Sequence, residues 1–375
     1  MSLREQISEG VRAVVAAMKR EPYYNPQAGP LPKDMWSIQS LEKGKVTLKK
    51  VPVPVPKDGE VLVKVHYSPV HPHDVNFAMN FVNYGDEPKL PHGNGTEGSG
   101  FIVASGGGIM GHYHSRMMTK VCALASTPQV WSEYAVTSLE QTMPLDEKMS
   151  LKKGAACLIN PPTAVTMITL AKEGGHKALV ISPASSQVGL QTARAASKFG
   201  LQTVCIVRGE KNVQKVKEQA NHPEDLIIRN DVSTFQEDLK KAIEKTGATI
   251  SFDAIAGKLS SQIYSCMPET STVYYFGNIG GEGVPDELQG KEDDPKKPFM
   301  LLHAPRWMEK VPGRKKKIYD EVSKWVGGEL STEFTQEIEL TDQTLVDTIN
   351  ALGESYKSGK VLIRMPDSMT ATPHE

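Results

Sequence analysis

The chain is poor in cysteine, modest in aromatic residues and without an excess of either charge, and each shortage excludes something. Its four cysteines, Cys122, Cys157, Cys205 and Cys266, stand far apart among 375 residues. That spacing excludes a CxxC redox pair and a cysteine-only zinc cluster, and it fits a compartment in which thiols stay reduced. Lysine and arginine number 43 against 44 acidic side chains, so no broad field draws the chain to nucleic acid or to an anionic membrane. A small, locally recognised ligand is expected instead. The long uncharged run Gly154 to Ala171 holds Asn160, Pro161 and Pro162. These would break a spanning helix and leave polar groups in hydrocarbon, so no membrane span is expected. Arg4 is followed by Glu5 and Glu9 with no apolar stretch behind them, which does not read as a secretory signal. There is no internal repeat, and glycine and proline stay far below low-complexity levels. The composition is that of a folded, intracellular protein of two or three domains.

What is present falls into three regions. Ser2 to Met18 opens with a capping box and sets Ile7, Val11, Val14 and Val15 on one helical face, which predicts an amphipathic N-terminal helix packing on the body of the protein. From Met35 to Val136 the pattern is short and alternating: Trp36 to Ile38, Val46 to Val51, Val61 to Val65, Gly100 to Ala104, Val121 to Ala125 and Trp131 to Val136. This predicts a β-rich domain, in which the proline-studded run Val51 to Pro56 can serve only as an edge or connector. Beyond Leu151 strands and helices alternate. Strands are expected at Ala178 to Ile181, Thr203 to Val207, Asp225 to Ile228, Thr249 to Ala254 and Thr272 to Phe276. Helices are expected at Val188 to Phe199, Lys211 to Gln219, Phe235 to Lys245 and Ser260 to Cys266. Alternation at this spacing predicts a parallel, doubly wound sheet. The polar stretch Gly281 to Lys297 reads as a surface lid or insertion. Helices at Ile318 to Trp325 and Leu345 to Tyr356 and a closing strand at Lys360 to Arg364 complete the pattern.

One turn stands out for chemistry. After the Ala178 strand the chain runs Pro183, Ala184, Ser185, Ser186, Gln187, Val188, Gly189 into a helix. Small residues in such a turn let the backbone approach a pyrophosphate, which then lies against helix N-terminal amides. A plain strand-to-helix turn reads equally well from this segment alone. At the end of the next strand, where the dinucleotide fold usually offers an acid to the ribose hydroxyls, the chain has Arg208, with Lys211 close behind. Cations there favour a 2′-phosphate, hence NADP(H) over NAD(H).

Seven segments then resemble, in order, the medium-chain dehydrogenase/reductase superfamily: PVHPHDVN (Pro69 to Asn76), NYGDEPKLP (Asn83 to Pro91), GTEGSG (Gly95 to Gly100), NPPTA (Asn160 to Ala164), ASSQVG (Ala184 to Gly189), AGKLSS (Ala256 to Ser261) and GKVLI (Gly359 to Ile363). Within it, NYG, NPPTA and the serine-containing turn are most similar to the mitochondrial 2-enoyl thioester reductases. The resemblance implies an α/β protein: a GroES-like β-rich catalytic domain (residues 35–155 and 311–375), a Rossmann-type NADP-binding domain (156–310) and an N-terminal helical extension (1–34). It implies an NADPH-dependent oxidoreductase acting on the α,β double bond of an enoyl-CoA or enoyl-carrier-protein thioester. Tyr84 of NYG then supplies the proton. Asn160 and Thr163, Ser185 to Val188 (Ser185, Ser186, Gln187, Val188) with Gly189, Phe276 to Ile279 (Phe276, Gly277, Asn278, Ile279) and Lys360 then contact the cofactor. Each has a structural alternative: Asn160 as a helix cap, Phe276 as core, Lys360 as a solvated cation. A homodimer and a mitochondrial location accompany the resemblance; without it the location reads as cytoplasmic.

Zinc-dependent members have a cysteine near HPHD and a histidine where Thr96 stands. This chain has neither, so no catalytic metal is expected, although His71, His73, His92, His112 and His114 invite the comparison. Two departures from the pattern matter. Gln187 fills a place usually glycine and crowds the expected pyrophosphate, and Gly209 and Glu210 follow Arg208 where a second basic residue is usual. They keep open two other readings: a zinc-free quinone or alkenal reductase, and a non-catalytic interaction subunit. The basic run Arg314 to Lys317 reads either as a landing point for an acyl-carrier protein or a coenzyme A phosphate, or as a solvated helix start.

Overall fold

The structure, a computed structural model, describes residues 11, 15, 21–79, 89–124, 130–352 and 360–366. Two compact units divide it, residues 1–158 with 333–375, and residues 159–332. Residues 311–332, expected in the first unit, belong to the second. Of the N-terminal helix only Val11 and Val15 are described, both helical and exposed.

The first unit begins with β1 (Tyr23–Tyr24), β2 (Asp34–Glu42), β3 (Lys45–Pro52) and β4 (Glu60–Pro69), followed by α1 (Pro72–Ala78). Next come β5 (His92–Gly93), β6 (Glu97–Ser105), α2 (Ile109–Arg116), β7 (Lys120–Leu124), β8 (Tyr134–Ser138), β9 (Thr142–Pro144) and α3 (Leu151–Gly154). The alternating runs pair antiparallel as their period requires: β4 lies between β6 and β8, and β2 pairs with β3. Two tight approaches explain the last two glycines of GTEGSG. A Cβ on Gly100 would lie 1.9 Å from the Lys64 carbonyl oxygen, and one on Gly98 2.8 Å from that of Tyr67. The helix α2 lies in a stretch that the sequence pattern left as loop, because its apolar side chains point outward: Ile109, Met110 and Tyr113 are exposed, while Gly111, His112 and Ser115 are buried.

The second unit contains α4 (Asn160–Glu173), β10 (Ala178–Ser182), α5 (Gln187–Ala196), β11 (Gln202–Val207), α6 (Glu210–Gln219), β12 (Ile227–Arg229) and α7 (Phe235–Thr246). It continues with β13 (Ile250–Asp253), α8 (Gly257–Cys266), β14 (Thr272–Tyr275), β15 (Phe299–Leu301), α9 (Ala304–Glu309) and α10 (Arg314–Trp325). The six strands are parallel in the order β12, β11, β10, β13, β14, β15. Strand β10 is buried throughout, as its unbroken apolar run requires. The prolines in the uncharged run sit in the first turn of α4, where a missing N–H costs nothing, so they start a helix. The polar stretch 281–297 packs along α8 as a strap. The Glu282 carboxylate accepts from the Lys258 amide at 2.9 Å, Leu288 is buried, and the Lys297 ammonium donates to the Met267 carbonyl at 2.7 Å.

The chain then returns to the first unit with β16 (Gln336–Glu339), α11 (Gln343–Leu352) and β17 (Val361–Arg364). Strand β17 pairs antiparallel with β4 and parallel with β16. This places the last described strand beside Ser68 and Pro69, next to the HPHD segment. Among the described residues no helix is long and apolar enough to cross a membrane.

Candidate functional site

In the second unit the chain runs outward from β10 through β11 to β12, then crosses back to β13 on the other side of β10. All carboxyl ends lie on one edge, and the direction reverses between β10 and β13, the switch point at which open α/β sheets usually hold their ligand crevice. The turn 183–186 occupies this point. The Ala184 amide donates to the Ile206 carbonyl of β11 at 2.8 Å, and the Ala254 amide beyond β13 donates to Ser182 at 2.8 Å, so both flanks of the turn are pinned. Ser186 is the N-cap of α5: its Oγ accepts from the Gly189 amide at 3.0 Å and donates to the Pro183 carbonyl at 2.8 Å. A Cβ on Gly189 would sit 2.4 Å from that carbonyl oxygen and 2.6 Å from the Ala184 Cα, so only glycine lets the helix start this close to the turn. Ser185 to Val188 remain partly exposed.

Arg208 is exposed at the end of β11, and Lys211 follows on the first turn of α6. The acids around them are engaged elsewhere. Arg229, from the end of β12, pairs with Glu210 at 3.0 Å and with Asp231 at 3.1 Å, and with the Gly209 amide it lowers the Asp231 carboxyl to about 2. Neither Arg208 nor Lys211 has an acidic partner among the described residues. Glu210 is thereby paired with a basic residue from the neighbouring strand. Lys215, one turn further along α6, donates to the Ser185 carbonyl at 2.9 Å.

On the other side of the crevice, the Phe276 amide donates to Asp253 and the Ile279 amide to Ala254, at 2.8 and 2.9 Å. A Cβ on Gly277 would meet the Ala254 carbonyl at 2.9 Å. The Asn278 side chain accepts from the Gly283 amide at 3.0 Å. Asp253 is buried at the end of β13; burial pushes its carboxyl up, while Ser260 and the Ile255 and Ala256 amides donate to it. These bonds hold Ala256 at φ 66 and ψ -163, a region that belongs almost wholly to glycine. Asn160 is buried in the first turn of α4, and the Thr163 hydroxyl donates to the Ile159 carbonyl at 2.7 Å. The N-cap position falls to Ile159, not to Asn160.

In the first unit a second polar centre forms from residues far apart in sequence. The Lys360 ammonium lies 2.8 Å from His71 Nδ1, and His71 Nε2 lies 2.6 Å from Glu97 Oε1. Glu97 Oε2 accepts the Leu158 amide at 2.7 Å. All three side chains are buried. Burial dominates both end groups, pushing the Glu97 carboxyl up to about 8 and the Lys360 ammonium down to about 8. Next to them Asp74, also buried, accepts the His71 amide at 2.9 Å and the Thr96 hydroxyl, and His73 lies 2.8 Å from Thr96 Oγ. Lys360 is therefore held in a buried chain with His71. Among the described residues no three histidine, cysteine or carboxylate side chains converge to hold a metal ion. Tyr84 lies outside the described residues.

No family model matches the chain. An enoyl-[acyl-carrier-protein] reductase, mitochondrial, of Caenorhabditis elegans is 27% identical over 243 residues; the match covers 62% of this chain and 66% of that protein, just short of two thirds. Among solved structures, a putative NADPH:quinone reductase from Mesorhizobium loti superposes with a TM-score of 0.78 at 23% identity, covering 89% of this chain and 99% of that one. A second, described as the ETR1P/NADP/crotonyl-CoA complex, superposes with a TM-score of 0.67 at 17% identity over 88% of this chain and 99% of that one.

The chain has the medium-chain dehydrogenase/reductase fold.

The first unit is thus its GroES-like part and the second its Rossmann-type part. The Rossmann-type part gathers Ser185 to Gly189, Arg208, Lys211 and Phe276 to Ile279 at the carboxyl edge of one sheet. Sequence inspection missed Lys215, although its four-residue spacing from Lys211 marks a shared helix face. The buried Asp253 also escaped it, as did the pairing of His71 with Glu97. Those two lie in PVHPHDVN and GTEGSG, but each finds its partner only through the fold.

Proposed function

We propose that the protein is an NADPH-dependent oxidoreductase that reduces the α,β double bond of a 2-enoyl thioester. The sequence similarity to the mitochondrial enoyl reductase carries the substrate class. The residues of the Rossmann-type part fit the cofactor. The turn 183–186 lies at the reversal point of the sheet, the helix behind it starts close because residue 189 has no side chain, and an exposed arginine ends the adjacent strand. Backbone of Ser185 to Val188 at the positive end of α5 would hold the pyrophosphate, and Arg208 with Lys211 the 2′-phosphate. Phe276 to Ile279, with Asn160 and Thr163, would line the nicotinamide side.

When bound, NADPH supplies the hydride that adds to the β-carbon of the thioester. Tyr84 donates its phenolic proton to the α-carbon, directly or through water, so that one hydride and one proton saturate the bond and the tyrosine regains its proton from solvent. Ser186 keeps the helix start fixed by capping Gly189, and Lys215 ties down the Ser185 carbonyl of the turn. An acyl-carrier protein as donor of the thioester, a homodimer and a mitochondrial location belong to the same proposal.

The test is consumption of NADPH by the purified protein with crotonyl-CoA and longer 2-enoyl-CoA substrates, beside a panel of quinones. Turnover of enoyl thioesters that depends on Tyr84 supports the proposal. Turnover of quinones alone, unaffected by Tyr84→Phe, would favour the second reading, a quinone reductase, to which the Mesorhizobium loti structure points. Absence of NADPH binding, with turnover of neither class, would leave the interaction subunit.

A further inference from the structure

The basic run that begins α10 is part of a larger surface. Between His303 and Lys317 stand Arg306, Lys310, Arg314, Lys315, Lys316 and Lys317 against one acid, Glu309, in a chain whose overall charge is -1. Helices α9 and α10 pack against each other and on α4, which brings these cations to one corner. The corner is built rigidly: the Arg314 guanidinium lies 3.9 Å over the Trp307 ring, donates to the Trp307 carbonyl at 3.3 Å and pairs with Glu173 at 3.1 Å. Lys316 pairs with Asp320 at 2.8 Å. Arg306, Lys310, Lys315 and Lys317 have no acidic partner among the described residues, and all four reach solvent. Val311, 43% exposed, lies between the two helices in sequence.

The placement opposes local stability. Four cations occupy the first turn of α10, where the helix dipole favours anions, with no acid in that turn and no side-chain cap on Gly313. Each such cation is unfavourable against the dipole. An approaching carboxylate relieves both the crowding of like charge and the dipole conflict.

We propose that the corner of α9 and α10 is a docking surface for an acidic helix of a partner protein. Arg306 and Lys310, four residues apart, match carboxylates repeated at the same interval on a helix, and Lys315 and Lys317 add two further cations that reach solvent. Complementary charge of this kind steers an encounter and fixes its register. Single-stranded nucleic acid needs open aromatic faces, and the Trp307 ring is covered by Arg314. One valine offers too little apolar surface to enter a bilayer. The proposal stands apart from the reaction assigned above.

The experiment is fluorescence anisotropy of the full-length protein with a fluorescein-labelled helical peptide carrying glutamate at every fourth position, in low and physiological salt. Single-stranded RNA and phosphatidylserine vesicles serve as parallel probes. The peptide should bind in low salt, weaken steeply with added salt, and bind at least about tenfold less tightly to Arg306→Glu/Lys317→Glu. That variant should melt no lower than the parent, since an acid in the first turn of α10 suits the dipole. Absence of peptide binding, binding untouched by the charge reversals, or tighter binding of RNA or vesicles than of the peptide would overturn the proposal.

Discussion

Replacing Glu97 by glutamine tests the buried polar centre of the GroES-like part directly. Both carboxylate oxygens are used: one faces His71 Nε2 at 2.6 Å, the other accepts the Leu158 amide at 2.7 Å. An amide has a single acceptor oxygen, so one of these positions must take an NH2 group. Placing a donor against a donor in a dry site costs about 1–3 kcal/mol. The pH dependence carries a signature. The unfolded chain releases the Glu97 proton near 4.5 and the folded chain near 8. Within that window the folded state holds the extra proton, so stability falls as pH rises. This contribution is complete below the lower value and lost above the upper one. Lys360 has the opposite sign: the unfolded chain keeps its proton to about 10.5 and the folded chain only to about 8, so stability rises between them. The slope is about 1.4 kcal/mol per pH unit for one proton, and the two limbs meet in a minimum near pH 8. Glu97→Gln removes the acid-side limb and starts the alkaline limb at lower pH. Urea unfolding across this range, followed by fluorescence with the fully buried Trp131 and the partly buried Trp36 as reporters from this unit, measures these effects. A stability loss below about 0.5 kcal/mol, or an unchanged acid-side slope, would refute the reasoning.

Gly189→Ala drives a methyl into the Pro183 carbonyl and the Ala184 Cα; about 1–3 kcal/mol of stability should be lost, and NADPH titration should show affinity reduced at least about tenfold. Arg208→Ala should weaken NADPH by roughly 10- to 100-fold, the worth of a charge-assisted contact, while leaving NADH nearly unchanged; parallel titrations decide it. Ala256→Gly relieves about 1–3 kcal/mol of backbone strain, offset in part by the entropy of a glycine and the loss of a buried methyl. Thermal melting should therefore rise slightly, and a fall of more than about 1 kcal/mol would contradict the strain argument. Tyr84→Phe should cut enoyl thioester turnover by roughly 10²–10⁴-fold with little change in NADPH affinity. Stopped-flow kinetics separates the two quantities.

Much of the Rossmann-type part was legible because its signals are local. Buried parallel strands are continuous apolar runs, the intervening helices carry a 3.6-residue period, and the turn before α5 announces itself through small residues and a serine cap. The alternation of the first unit was equally open to inspection, because one face of an antiparallel strand is wet and the other dry. Position altered the meaning of some residues. Pro161 and Pro162, read as helix breakers, begin α4 because the first turn lacks partners for its amides in any case. The strap 281–297 looked like a free lid because its charges are plain in sequence and their anchors on α8 are not. Only the tertiary structure joined His71 to Glu97, 26 residues on, and to Lys360, 289 residues on. It also turned Arg229 toward Glu210, which left Arg208 and Lys211 without an acidic partner among the described residues. Such long-range pairs depend on which strands become neighbours. That choice is set by the burial of whole faces, not by any short stretch of sequence.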